Sequence, residues 1–158
     1  RTGNKLLAAL TLILDILKGY IPVIIAQQYF PGLIQLSCLL AFLGHVFPVW
    51  LKFKGGKGVA TYLGILLALS IQLGLLFMFT WLAVSLIFRY SSLSSMFSSL
   101  TVFAVTLIKD TALQSIASST YVEEEIKLIL FIFFILIIFT HRKNISNLKN
   151  KTEHKIKI

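Results

Sequence analysis

Residues 63–88 read LGILLALSIQLGLLFMFTWLAVSLIF and contain no charged side chain. Residues 128–139, LILFIFFILIIF, form a second uninterrupted apolar run near the other end of the chain. A helix needs roughly 20 apolar residues to cross the hydrocarbon core of a membrane. With 57% hydrophobic residues and thirteen phenylalanines among 158 residues, the sequence predicts an all-α, polytopic integral membrane helix bundle rather than a soluble domain.

The apolar runs predict six membrane spans, of which the third and fourth could be the two halves of one bent pair. The predicted spans are 6–26, 33–50, 59–72, 73–89, 92–108 and 126–140. The serine-rich segment 91–99 is interpreted as the start of the fifth helix. The single Cys38 lies within an apolar run, so no intrachain disulfide can form.

Basic residues fall almost entirely on one side of this topology. If the spans alternate in direction, one side of the membrane receives only two lysines, Lys109 and Lys127. The twelve on the other side are Arg1, Lys5, Lys52, Lys54, Lys57, Arg89, Arg142, Lys143, Lys149, Lys151, Lys155 and Lys157. Because basic loops face the cytoplasm, both ends are predicted to be cytoplasmic. We therefore expect one membrane-embedded domain over residues 1–158 that ends in a basic cytoplasmic tail at 141–158.

Residues 44–61, GHVFPVWLKFKGGKGVAT, place a short cationic segment between the second and third spans. Three glycines surround Lys57; they predict a flexible loop whose backbone amides a ligand can approach closely. Clustered lysines beside such amides are typical of a phosphate or other anion site. A nucleotide-binding P-loop is unlike this segment, because Lys57 is followed by Gly58 rather than by the serine or threonine that coordinates magnesium. The alternative is that these lysines only mark topology.

Two further features lie in the spans next to this loop. Pro48 is predicted to end the second helix near the membrane surface, and Val59 to begin the third, whose positive N-terminus would face the same anion. Asp15 and Lys18, three residues apart, share one face of the first helix. Charges inside a bilayer usually face a cavity or a partner, so this pair is a candidate site feature. The alternative is that Lys18 simply pairs with Asp15 or reaches the membrane surface.

The tail begins with HRKNISNL at residues 141–148, directly after the last span. His141 and Asn144 would point the same way if the helix continues. The alternative is a basic cluster attracted to anionic lipid. The three histidines of the chain lack the spacing of metal ligands, so no metal site is expected.

These segments resemble the motifs of the bacterial acyl-phosphate:glycerol-3-phosphate acyltransferases, the integral-membrane PlsY type. Within residues 44–61, GHxFP and KFxGGKGVAT match the central motif of that family. Residues 141–155, with HRxNI followed by a leucine, a glutamate and a lysine, are similar to its C-terminal motif. The segments at 15–19 and 89–93 also resemble family sequences, so the resemblance extends over nearly the whole chain.

The resemblance implies an enzyme that transfers a fatty acyl group from acyl phosphate to glycerol 3-phosphate, giving lysophosphatidate for phospholipid biosynthesis. It also implies a fold of seven membrane helices, one of which would precede Arg1, so that the chain is expected to be N-terminally truncated. We expect a multi-pass protein of the bacterial inner membrane with its site on the cytoplasmic side. The expected partners are both substrates and membrane lipids, with no cofactor, no nucleic acid and no second copy of the chain.

The resemblance and the residue patterns together define the expected site. Three residues are expected to be catalytic: Lys57, which also binds substrate phosphate, His141, which polarises or deprotonates the glycerol hydroxyl, and Asn144, which orients it. A substrate phosphate oxygen is the alternative base. The other expected phosphate ligands are Arg1, His45, Lys52, Gly55, Gly56 and Gly58, and the supporting residues are Asp15, Lys18 and Glu153. Two other functions remain open from the sequence: an anion transporter whose vestibule these lysines line, and a truncated membrane protein without activity.

Overall fold

The structure is a computed structural model that describes residues 4–112 and 124–156. The described residues form α-helices and short turns, without a strand, which confirms the predicted all-α class. The helices are α1 (Lys5–Tyr29), α2 (Ile34–Val46), α3 (Val59–Leu69), α4 (Ile71–Phe88), α5 (Ser91–Ala112), α6 (Glu124–Thr140) and α7 (Arg142–Lys149). They divide into two compact units, Arg1–Leu69 and Ser70–Ile158. The single domain expected over residues 1–158 stays a prediction.

Each predicted span contains a helix, but the helices differ in how far they could reach across a membrane. By length and composition, four stretches of the described chain could cross: Lys5–Tyr29, Pro31–Leu51, Ile71–Phe88 and Ser91–Ile108. A fifth results if α6 and α7, which are bent by 58°, count as one span. The 11 residues of α3 rise only about 16 Å at ~1.5 Å per residue, roughly half of the hydrocarbon thickness. The span predicted at 59–72 is therefore too short to cross the membrane alone.

In the first unit, α1 packs along α3 and beside α2. The contact between α1 and α3 is close because a glycine from each helix faces the other backbone. A Cβ on Gly19 would overlap the carbonyl of Thr61, and a Cβ on Gly64 would overlap the carbonyl of Ile16. Small residues that let two backbones approach are typical of helix pairs in membranes. The outer face of α1 instead carries exposed leucines and isoleucines, as a helix facing lipid requires.

In the second unit, α4 and α5 form an antiparallel hairpin, and α5 also packs against α6. Arg89 makes the turn in the left-handed conformation, with φ 64°, and α5 begins at Ser91, which confirms the predicted helix start. The hydroxyls of Ser94 and Ser98 donate to backbone carbonyls four residues earlier, those of Tyr90 and Ser94, at 2.9 and 2.7 Å. Because these hydroxyls are satisfied locally, the helix can bury its serines where it packs against its neighbours.

Candidate functional site

The connection between α2 and α3, residues 47–58, is a hydrogen-bonded turn. The amides of Lys52 and Phe53 donate to the carbonyls of Val49 and Pro48, both at 3.0 Å. Lys52 and Phe53 adopt left-handed backbone conformations, with φ of 52° and 60°, which costs a non-glycine residue roughly 1–2 kcal/mol. The flexible loop expected from the glycines is therefore a closed turn that holds strained backbone.

Gly55 and Gly56 close this turn onto the end of α2. The Gly55 amide donates to the carbonyl of Val46 at 3.1 Å, and the Gly56 amide to the carbonyl of His45 at 3.4 Å. A Cβ on Gly55 would overlap the His45 carbonyl, and a Cβ on Gly56 would overlap the His45 imidazole. These amides satisfy carbonyls that a helix end leaves without a partner, so in this structure they are already hydrogen-bonded. Direct binding of phosphate by these two glycines stays a prediction, and the overlap test adds a second role for them, the packing of the loop on His45.

Gly58 supplies the turn into α3. Its φ of 82° is a conformation that glycine adopts readily, and a Cβ there would overlap the ring of Phe42. α3 begins at Val59, as predicted, and the Gly58 carbonyl accepts the Tyr62 amide at 2.8 Å. Lys57 precedes this helix start and is exposed. A positive side chain therefore lies next to the positive end of a helix.

Asp15 connects α1 to α2 through two contacts. Its Oδ1 lies 2.9 Å from Lys18 Nζ on the same helix and 3.6 Å from His45 Nδ1. The Asp15 and His45 side chains are only 19% and 13% exposed, whereas that of Lys18 is 58% exposed. The carboxylate thus faces a surface ammonium on one side and an enclosed imidazole on the other. Pairing of Asp15 with Lys18 is confirmed, and Asp15 also lies where it can orient the His45 ring.

A cavity of about 430 Å³ lies between α1, α2 and the loop. Its lining consists of Asp15, Lys18, Leu40, Ala41, Gly44, His45, Pro48, Trp50, Leu51, Lys54, Gly55 and Gly56. Two ammonium groups against one carboxylate give the cavity a net positive charge, which favours an anion. Lys52 and Lys57 are exposed and are not part of this lining. The lining does include Lys54, which the sequence analysis did not assign to the site.

An apolar groove of about 560 Å³ lies next to this cavity, between α1 and α2. It is lined by Pro22, Ile25, Ala26, Phe30, Leu33, Leu36, Ser37, Leu40 and Ala41. Leu40 and Ala41 line both spaces. From Ala41 to Leu36 the groove follows α2 for about 8 Å, at ~1.5 Å per residue, and it continues to Leu33 just before that helix. The first unit therefore places a charged space and an apolar space side by side.

In the second unit, His141 lies at the bend between α6 and α7 and is 1% exposed. Its Nδ1 is 2.8 Å from the carbonyl of Ile137. A carbonyl can only accept, so Nδ1 carries the proton, and the lone pair of the neutral ring lies on Nε2. His141 is thus held by its own helix in a defined tautomer, in a more enclosed position than the tail sequence suggests.

Asn144 and Glu153 are in direct contact. The Nδ2 atom of Asn144 donates to Glu153 Oε1 at 2.6 Å, and the hydroxyl of Ser92 on α5 donates to the same oxygen at 2.7 Å. The tail is also attached at the α4–α5 turn, where the Ile156 amide donates to the Arg89 carbonyl at 2.7 Å and Arg89 Nε donates to the Ile156 carbonyl at 3.3 Å. Sequence reasoning noted residues 89–93 only as part of the resemblance and did not assign Ser92 or Arg89 to the site.

The expected site residues are therefore found in two groups. The first unit brings together Asp15, Lys18, His45, Gly55 and Gly56, with Lys52, Lys57 and Gly58 on the same loop. The second unit brings together Asn144 and Glu153, with His141 three residues before Asn144. Arg1 lies outside the described residues. Within the described ranges, no group of three or more His, Cys, Asp or Glu side chains could hold a metal ion.

Comparison with known proteins identifies similar sequences and a similar fold. Residues 1–151 match a family model described as glycerol-3-phosphate acyltransferase. A glycerol-3-phosphate acyltransferase from Pelagibacter ubique (strain HTCC1062) is 48% identical over 158 residues, which cover 100% of this chain and 76% of that protein.

The structure is also similar to crystal structures of PlsY (YgiH), an integral membrane glycerol 3-phosphate acyltransferase. For the glycerol 3-phosphate form the TM-score is 0.85 at 33% identity, covering 97% of this chain and 72% of that one. For the lysophosphatidic acid form the TM-score is 0.84 at 33% identity, covering 96% and 73%. These matches and the long apolar helices establish a multi-pass membrane fold.

Proposed function

The chain belongs to the glycerol-3-phosphate acyltransferase family and is a membrane-bound enzyme that acylates glycerol 3-phosphate in phospholipid synthesis, as predicted; we propose that its acyl donor is acyl phosphate and that its product is lysophosphatidate. The choice of acyl phosphate as donor rests on a cavity and a groove that adjoin each other in the first unit. A positively charged cavity there adjoins an apolar groove at Leu40 and Ala41. Acyl phosphate has the matching two parts, a phosphate and a long apolar chain. Glycerol 3-phosphate as acceptor follows from the names of the relatives and from the glycerol 3-phosphate form of PlsY.

Substrate phosphate is bound by the loop between α2 and α3. The first amides of α3 and the neighbouring Lys57 supply donors and positive charge, as helix N-termini do in other anion sites. Lys18 and Lys54 add charge from the cavity wall, and Lys52 and Arg1 are further proposed ligands. Gly55 and Gly56 contribute by allowing the loop to pack on His45, which keeps the ring at the cavity wall.

The chemistry requires mainly alignment and charge stabilisation. The glycerol hydroxyl oxygen forms a C–O bond to the acyl carbon, the bond from that carbon to the phosphate oxygen breaks, the hydroxyl proton passes to a base, and inorganic phosphate departs. Acyl phosphate is a mixed anhydride, so phosphate is a good leaving group. Alignment of two bound reactants can lower a barrier by about 7–11 kcal/mol at most, and preorganised positive groups stabilise the charge that develops in the transition state.

His141 is the proposed base and Asn144 the group that orients the hydroxyl. Because Nδ1 of His141 donates to the Ile137 carbonyl, Nε2 is the atom that would accept the proton. A phosphate oxygen of the substrate is the alternative base. Near-normal kcat in a His141→Gln variant would show that a substrate phosphate oxygen, and not His141, accepts the proton.

The assay that tests this function uses the purified protein in lipid nanodiscs with labelled glycerol 3-phosphate. Palmitoyl phosphate and palmitoyl-CoA are supplied separately as donors, and lysophosphatidate is measured. We expect product from palmitoyl phosphate alone. Product from palmitoyl-CoA alone would contradict acyl phosphate as the donor. No product from either donor would contradict acyltransferase activity in this chain. Anion flux in liposomes without acyl transfer would favour the transporter alternative.

The apolar groove is proposed to hold the acyl chain. Ser37 lies in its wall, so Ser37→Trp should fill the groove and displace several methylene groups of a long donor. Because each buried methylene contributes about 0.8 kcal/mol, we expect kcat/KM for palmitoyl phosphate to fall by roughly tenfold or more. Octanoyl phosphate, whose chain is shorter, should be affected much less. Steady-state kinetics with the two donors measures the difference.

The matched control for this substitution is Leu12→Trp, which adds the same bulk on the exposed face of α1, away from the groove. This variant should leave kcat/KM unchanged for both donors. Equal losses for long and short donors in Ser37→Trp would show that the chain does not lie in this groove.

We also place the protein in the bacterial inner membrane as a monomer, with the lysine loop on the cytoplasmic side. Cys38 is fully buried, so a cysteine introduced at the exposed Lys52 should be the main reactive thiol. A membrane-impermeant maleimide is expected to label Lys52→Cys in inverted membrane vesicles but not in intact spheroplasts. The reverse pattern would overturn the orientation, and a dimer mass in detergent by light scattering would overturn the monomer.

A further inference from the structure

One carboxylate oxygen in the second unit accepts two short hydrogen bonds from different helices. Oε1 of Glu153 lies 2.7 Å from Ser92 Oγ on α5 and 2.6 Å from Asn144 Nδ2 on α7. Ser92 is only 3% exposed, so little solvent is available to replace its bond. Bonds to an ionised acceptor are shorter and stronger than neutral ones. The three side chains form a short bridge between α5, the tail and α7.

This bridge determines which end of the Asn144 amide faces Glu153. The side chain of asparagine has an NH2 donor and a carbonyl acceptor, whereas an ionised carboxylate only accepts. With the NH2 group turned to Glu153, the Oδ1 atom of Asn144 points to the other side of the amide. Without that carboxylate in place, a rotation of the amide would exchange donor and acceptor.

The tail is attached to the turn between α4 and α5 just beyond Glu153. Beyond Glu153, the paired bonds between Ile156 and Arg89 attach the tail to the α4–α5 turn, and Lys155 Nζ lies 5.8 Å from the ring centroid of Tyr90. These contacts bring the tail to α5, and the Ser92 hydroxyl then fixes the carboxylate itself. Two bonds to one oxygen define its position better than the bond from Asn144 alone.

We propose that Ser92 is a positioning residue for acyl transfer, which acts through Glu153 to keep the Oδ1 atom of Asn144 facing the glycerol part of the acceptor. The inference rests on the proposed function, in which Asn144 orients the attacking hydroxyl. That hydroxyl has one proton, which passes to the base, so Oδ1 orients the acceptor by accepting a hydrogen bond from its second hydroxyl, which does not react. An amide turned the other way would present a donor and lose this bond.

The test compares Ser92→Ala with Ser92→Thr, which keeps a hydroxyl, and with Ser94→Ala. The last is a matched control, since Ser94 is also buried on α5 but donates to the carbonyl of Tyr90, the residue just before that helix. We expect Ser92→Ala to lower kcat/KM for glycerol 3-phosphate about tenfold, the size of one lost bond to a charged group. KM for acyl phosphate should stay unchanged, Ser92→Thr should retain most of the activity, and Ser94→Ala should behave as wild type.

A double-mutant cycle separates positioning from a merely structural effect. If Ser92 acts through Asn144, adding Ser92→Ala to Asn144→Ala should cause no further loss, because residues in one network are not additive. Independent, multiplying losses would overturn the proposal, as would full activity in Ser92→Ala or in Asn144→Ala. Unfolding temperatures of all variants show whether a loss reflects folding alone.

A readout that needs no activity distinguishes this proposal from the proposed function. The side-chain amide resonances of Asn144, followed in protein labelled only at asparagine, report the bond to Glu153. They should shift in Ser92→Ala and stay in place in Ser94→Ala. A wild-type chain without acyltransferase activity would overturn the proposed function, whereas unshifted resonances in Ser92→Ala would overturn the positioning role.

Discussion

Replacing Lys57 by alanine is expected to produce the largest kinetic defect of any single lysine substitution in the loop. Lys57 lies two residues before Val59, the first residue of α3, so its ammonium and the first helix amides can bind one phosphate together. Removing one preorganised charge-stabilising donor of this kind commonly costs about 100-fold or more. We therefore expect kcat/KM for glycerol 3-phosphate to fall by roughly that factor, measured in nanodiscs at subsaturating substrate.

The control for Lys57→Ala is Lys149→Ala. Lys149 is exposed in the last turn of α7, so this variant loses the same charge without touching the loop. It should keep its activity, which separates local phosphate binding from the general attraction of anions by a protein of net charge +9. Lys57→Arg should recover part of the loss. Near-normal turnover in Lys57→Ala at low glycerol 3-phosphate would remove Lys57 from the site.

The positions of the helices were predictable from hydropathy and from the residues that typically begin or end helices. Pro48 and the glycines around Lys57 correctly predicted where α2 ends and α3 begins, and the serines at 91–99 marked the start of α5. The division between the third and fourth spans was predicted at residues 72 and 73, whereas α3 ends at Leu69 and α4 begins at Ile71. Ser70 makes the break by adopting an extended conformation, with φ −162° and ψ 125°. Hydropathy does not place the break at Ser70 itself because the residues on both sides remain apolar.

The candidate site was predictable in its residue types but not in its hydrogen bonds. Glycines in a basic loop indicate permissive backbone, yet they do not reveal whether the amides are already used. In the structure the amides of Gly55 and Gly56 satisfy the end of α2. The bond between Ser92 and Glu153 joins residues 61 positions apart, and nothing in either local sequence predicts it. Such long-range pairs depend on how helices and tail pack together.

The second large effect is expected at Gly56, where the structure and the sequence suggest different roles. Gly56 does not have a positive φ, so alanine fits its backbone and keeps its amide. The added Cβ, however, would overlap the imidazole of His45. Overpacking of this kind costs about 1–3 kcal/mol, and it would displace a ring that lines the cavity. We expect Gly56→Ala to lower kcat/KM for acyl phosphate roughly 10- to 100-fold, an effect of that energy.

Two comparisons decide between packing and amide binding at Gly56. If overlap with the ring is the cause, Gly56→Ala combined with His45→Ala should be no worse than His45→Ala alone, because the smaller side chain removes the clash. If the Gly56 amide also bound phosphate directly, moving the loop away from the ring would displace that donor as well, so the loss in Gly56→Ala would exceed the loss in His45→Ala. Gly32→Ala serves as control, since a Cβ at Gly32 meets no atom within 4 Å. If kcat/KM falls further in the double variant than in His45→Ala, Gly56 has a role other than making room for the ring.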